Sequence, residues 1–184
     1  MDCRNCLQYR RRGCRSLTCL YLAERLQAGA VAMEEMVAEL VRPWKHLRLK
    51  QRAVGIAGQV RAFYFEGQLH IARMLRMTQG DETVDSRWLA AVYLLSSHAS
   101  LWQKTLAAVT PGRIAFERVR LDNTTVQDYV LYRVAKGLCS GMLGATSEEL
   151  ADPELVSDDT LLLILCAALI ARYGPEVTNI GRAE

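Results

Sequence analysis

The chain has 184 residues, 51% apolar and 23% charged, with only four prolines. That length can bury a sizeable core, and the composition excludes both a disordered chain and a collagen-like or low-complexity one. The net charge of +3 is unevenly spread, because residues 1–80 hold 14 Lys/Arg against 6 Asp/Glu while residues 81–184 hold 9 against 14.

A basic half favours a polyanion such as nucleic acid, whereas pairing with the acidic half is the alternative; charge alone does not choose between them. The opening Met1-Asp2-Cys3-Arg4-Asn5-Cys6 is charged and lacks the apolar stretch of a secretory signal. The longest apolar run, 161–171, is short of the roughly 20 residues that span a bilayer as a helix. The expectation is a cytoplasmic protein with no membrane partner.

In chain order, residues 1–15 carry arginines and cysteines without an apolar period and read as a loop. Ser16 is placed to cap a helix over 17–27, with Gly29 just beyond its end. Met33, Met36, Val37, Leu40 and Val41 recur at helical spacing and predict an amphipathic second helix. Pro43 ends it or opens the next, over 44–54. Gly55, Gly58 and Gly67 then interrupt the pattern, and a helix resumes over 69–77.

A turn at 79–82 leads to a helix over 88–95, capped by Asp85 or Ser86. Another over 101–109 stops at Pro111-Gly112. Residues 114–121 alternate roughly like a strand, but one strand has no sheet to join, which favours an extended loop. Thr124 with Gln127, and Thr146 with Glu149, have capping-box spacing. Asp158 and Asp159 suit a helix N-terminus ahead of 161–171, which is apolar on every side and predicts the centre of a bundle. The reading is an all-α helical bundle with an N-terminal four-cysteine metal knuckle. Its divisions are 1–27, knuckle and first helix; 28–80, a basic helical segment; and 81–184, an acidic helical bundle.

Cys3-x-x-Cys6 followed by Cys14-x-x-x-x-Cys19 carries the clearest chemistry. A two-residue gap lets both thiolates of a knuckle reach one ion, and a second nearby pair completes the tetrahedral set that zinc accepts. A helix start near Cys19 also favours its thiolate. An iron–sulfur cluster uses the same four ligands and ranks behind zinc; two disulfides need an oxidising compartment; four unrelated thiols are the plainest alternative. Cys139 and Cys166, among apolar neighbours, are expected in the core.

Arg10, Arg11 and Arg12, between the cysteine pairs, would be displayed on the knuckle, where guanidinium groups suit phosphates. Lys45, Arg48 and Arg52 share one helical face, with Lys50 adjacent and Trp44 at its head. These seven are the candidate nucleic-acid-binding residues, and solvated surface with snorkelling stems is the alternative. Phe63, Tyr64, Phe65, Trp88, Trp102, Tyr129 and Tyr132 read as packing, with Tyr64 beside Arg61 the one to test at a surface. His46, His70 and His98 stand in no motif, and no nucleophile elbow, Walker loop, zincin helix or dinucleotide fingerprint occurs. The expectation is therefore a binding protein rather than an enzyme.

The segment Cys3-Arg-Asn-Cys6-Leu-Gln-Tyr9-Arg-Arg-Arg-Gly-Cys14-Arg-Ser-Leu-Thr-Cys19 resembles uncharacterised cysteine-knuckle proteins carried on conjugative elements, plasmids and phages of gut Clostridia. So do Trp88-Leu-Ala-Ala-Val-Tyr-Leu-Leu-Ser-Ser97, Glu149-Leu-Ala-Asp-Pro-Glu-Leu-Val-Ser157 and Ala171-Arg-Tyr-Gly174. The likeness is thin over 42–80. It implies an accessory protein of a mobile genetic element, similar in size and setting to the anti-CRISPR inhibitors of type II nucleases. The implied partner is a bacterial CRISPR nuclease, nucleic acid, or both. A zinc-dependent DNA- or RNA-binding regulator of the element is the alternative.

Overall fold

A computed structural model describes residues 31–61, 63–78, 85–141 and 144–178. They are mainly helical. The first helix, α1 (Met33–Leu40), buries Met36, Val37 and Leu40 and turns Glu34 and Glu35 to its start. Next, α2 (Leu47–Ala57) starts at His46, whose ring Nδ1 accepts the Leu49 N–H at 3.2 Å. It runs through Gly55 and ends at Gly58. The expected interruption at Gly55 is corrected: that position is exposed, while Leu49, Ala53, Ile56 and Ala57 bury the opposite face and hold the helix together.

Gly67, at φ +126°, opens α3 (Gln68–Thr78). Asp85 then caps α4 (Ser86–Ser97), accepting from the backbone of Arg87 at 2.7 Å and Trp88 at 2.9 Å. A short α5 (Ala99–Thr105) passes through a 3-10 turn, Leu106–Ala108, into β1 (Val109–Thr110). This strand pairs antiparallel with β2 (Arg113–Ile114), Val109 opposite Ile114 and Thr110 opposite Arg113. Ile114 is thus a strand residue after all, because the chain just before Pro111-Gly112 supplies its partner; Gly112 takes the φ of +70° that the tight turn needs. Residues 115–121 add no further strand and hold the 3-10 turn Phe116–Arg118.

The N-cap of α6 (Val126–Ser140) is Thr125, one residue beyond the expected Thr124, and its hydroxyl accepts from Asp128 N at 3.1 Å. Gln127 is free of capping duty and reaches across to Leu155 O and Ser157 N, each at 3.1 Å. The capping box of Thr146 and Glu149 forms as expected and starts α7 (Ser147–Ala151). Ser157 caps α8 (Asp158–Tyr173), with Asp158 and Asp159 in its first turn.

Every residue of α4 from Trp88 to Ser97 is buried, and so are Thr160 to Ala167, Leu169 and Ile170 of α8. These two helices pack on each other at the centre. Around them, α6 covers both, α3 and α5 lie on α4, α1 and α2 lie on α8, and α7 lies on α2. Ser96 and Ser97 are tolerated inside because their hydroxyls donate back to Tyr93 O and Leu94 O. One buried cluster takes Met36 and Leu49 together with Leu95, Leu131 and Leu165, so the basic residues 31–78 and the acidic residues 85–178 share a core.

Candidate functional site

The head of α2 carries the described part of the predicted basic surface. The buried face of this helix fixes what points outward: Lys45, Leu47 and Arg48 are exposed, Leu47 to 65%. No acidic residue lies in the first turn. The partial positive charge of the helix N-terminus therefore adds to Lys45 and Arg48, and the combined field attracts anions. Neither cation has an ion pair among the described residues.

The other two predicted cations are used inside the molecule. Lys50 donates from Nζ to Arg42 O at 2.8 Å. Arg52 leaves 14% of its side chain exposed and spreads its guanidinium over three acceptors of the acidic half. Nη1 donates to Leu150 O at 2.8 Å, Nη2 to Val156 O, and Nε and Nη2 to Asp158 Oδ1 at 3.0 and 2.7 Å. Helical spacing put Arg48 and Arg52 on one face, but it could not show that an acidic helix start over 100 residues later lies beneath the second of them.

The histidines also acquire partners that no local motif announces. His70 is 1% exposed; its Nδ1 accepts the Glu66 N–H at 3.2 Å and its Nε2 lies 2.8 Å from Tyr93 O. That geometry assigns the proton to Nε2. Burial lowers its pKa from 6.5 to about 4. Phe65 and Tyr93 pack edge-on and tilted against the ring.

His98 Nδ1 lies 2.6 Å from Asp128 Oδ1, and Ser100 Oγ donates to Asp128 Oδ2, also at 2.6 Å. These residue types suggest a hydrolase triad, but the connectivity differs. Both Ser100 and His98 bind the buried carboxylate, so the hydroxyl donates to an acid instead of to an imidazole base. The cluster joins the start of α5 to the first turn of α6. Arg133 and Glu149 form a second polar link, at 2.7 and 3.3 Å, and their mutual hydrogen bond lowers the Glu149 pKa.

Cys166 is buried as expected, and burial pushes its thiol up to about 12. Cys139 is corrected to the surface: it sits in the last turn of α6, while the inward positions nearby are Ala135 and Gly137. Trp88, Trp102 and Tyr132 are buried, and Phe63, Tyr64 and Phe65 are half-buried, but Tyr129 is 49% exposed and packs under Arg133. Tyr64 donates its phenol to Glu66 at 2.8 Å.

Cys3, Cys6, Cys14, Cys19, Arg10, Arg11 and Arg12 lie outside the described residues. Among the described residues no group of three or more His, Cys, Asp or Glu is placed to hold a metal, and no helix is long and apolar enough to cross a membrane. No protein family, no curated protein and no solved structure matches the chain.

Proposed function

We propose that this protein acts by binding, as a mobile-element accessory protein that inhibits an RNA-guided type II DNA nuclease through contacts to the nuclease, its nucleic acid, or both. The observation that carries this reading is the exposed set Lys45, Leu47 and Arg48 at the positive end of α2, without a counter-ion among the described residues. Two cations and an apolar side chain on a rigid helix end suit a phosphate backbone or an acidic protein surface. Other polar side chains lend support from the other side, since His70, His98, Asp128 and Arg52 are occupied in holding helices together.

The four-cysteine knuckle completes the proposal. Cys3, Cys6, Cys14 and Cys19 hold one zinc ion and display Arg10, Arg11 and Arg12 beside it, on the strength of their spacing. Titrating the protein into target cleavage by purified type II nucleases tests the reading: progressive loss of cleavage is expected, and unchanged cleavage across a panel overturns it. The same cations favour a zinc-dependent DNA- or RNA-binding regulator as the second reading. A shift of the element's own promoter DNA, steeply weakened by salt and without nuclease inhibition, selects that one.

A further inference from the structure

The helix α3 is attached more sparely than the helix beneath it. It buries only His70 and Met74, one turn apart, and leaves Gln68, Leu69, Ala72 and Arg76 exposed, whereas α4 is buried at every residue from Trp88 to Ser97. Two hydrogen bonds to α4 therefore carry much of its attachment among the described residues: His70 Nε2 to Tyr93 O and Arg73 Nη1 to Ser96 O, each 2.8 Å. Ser96 O is one of the terminal carbonyls that a helix cannot pair internally, so Arg73 supplies a donor that water could replace.

The chain on the N-terminal side of α3 is fixed, and the residue that joins the two is a glycine. Tyr93 donates its phenol to Tyr64 O, and Phe63 and Phe65 both pack against the Tyr93 ring, so this segment is anchored on α4 independently of α3. Gly67 follows at φ +126°, a conformation that glycine adopts freely, and a Cβ built there meets nothing within 4 Å. Its carbonyl begins α3 by accepting from His70 N and Ile71 N at 3.1 and 3.3 Å.

We propose that α3 is a releasable arm, which lifts from α4 about Gly67 while residues 63–65 and the other described helices stay in place. His70 is its latch, because the closed site has room only for the neutral ring. A proton on Nδ1 removes the acceptor of the Glu66 N–H and adds a cation where Arg73 already stands, with His98 the next titratable group beyond the end of α4. No carboxylate nearby is spare, since Glu66 accepts the Tyr64 phenol and Asp128 is bound to His98. Tyr93 and, behind it, Cys166 of α8 are held protonated by burial and offer no counter-charge. The released ring takes the proton freely, so acid favours the open form.

Amide exchange of the full chain under native conditions, followed by mass spectrometry and corrected for the intrinsic rate at each pH, tests this. Residues 72–78 should exchange through an opening at least about tenfold more populated than the one that exposes α4 and α8. From about pH 7 to pH 4 that opening should grow about a hundredfold, as expected for a ring that titrates near 4 when closed and near 6.5 when free. Simple fraying of the helix end does not follow the proton. Arg73→Ala should open α3 about tenfold further at neutral pH and keep the growth with acid. His70→Gln, checked for native circular dichroism, should abolish that growth. Exchange of 72–78 no faster than that of α8, an opening indifferent to pH in the unaltered chain, or growth with acid that survives in a folded His70→Gln chain overturns the proposal.

Discussion

Arg52 shows how much one side chain can decide. Its fork satisfies two carbonyls and a carboxylate at the junction of α7 and α8, so truncation leaves Leu150 O and Val156 O without their donor. Arg52→Ala is expected to lower stability by about 2–3 kcal/mol, and Arg52→Lys to recover only part of this, since an ammonium cannot reproduce the planar fork. Urea midpoints at constant slope measure both. His70 supplies an acid limb. Its folded pKa of about 4 lies below the usual 6.5, so the unfolded chain binds the extra proton first. The associated stability is complete above pH 6.5 and is lost as pH falls toward 4, by up to about 3 kcal/mol. Protonation at Nδ1 also sets a proton against the Glu66 N–H. His70→Gln should flatten the loss of stability between pH 6.5 and 4.5 seen in denaturation at stepped pH. At this scale the sequence was least legible: it showed residue types, but Asp128 is 30 residues from His98, and Asp158 is 106 from Arg52.

Helices were more legible because caps and apolar period are local. The α7 capping box, the acidic start of α8 and the apolar face of α1 all follow from spacings of three or four residues. Gly55 misleads for a physical reason: glycine weakens a helix by its own entropy but does not end one whose neighbours are buried. A Cβ at Gly55 meets nothing within 4 Å, whereas one at Gly144 would lie 1.9 Å from Arg133 O. Gly55→Ala should therefore raise stability by about 0.5–1 kcal/mol, and Gly144→Ala should lower it, both readable as shifts in thermal midpoint. The hairpin at Val109–Ile114 escaped notice because each strand has only two residues, too few to show a period.

Across the whole molecule, the charge asymmetry is partly internal. Arg52 and Asp158 spend one cation and one anion joining the basic helix α2 to the acidic segment, and one buried cluster spans both halves. Lys45 and Arg48 stay outside this pairing. Since the described helices share a continuous buried core from Val31 to Val177, removal of the proposed zinc should leave them folded. About one zinc per chain is expected by elemental analysis, reduced sharply in Cys6→Ser. Chelator should change the far-ultraviolet circular dichroism only slightly, and complete unfolding would contradict this modular picture.

The central claim is that the protein works by gripping a nuclease or its nucleic acid with exposed cations. Calorimetric titration of the chain into a guide-loaded type II nuclease that it inhibits measures this directly. The account predicts saturable binding, weakened about tenfold or more by Lys45→Glu with Arg48→Glu and steeply reduced by salt. Binding that the charge reversal leaves unchanged would contradict it.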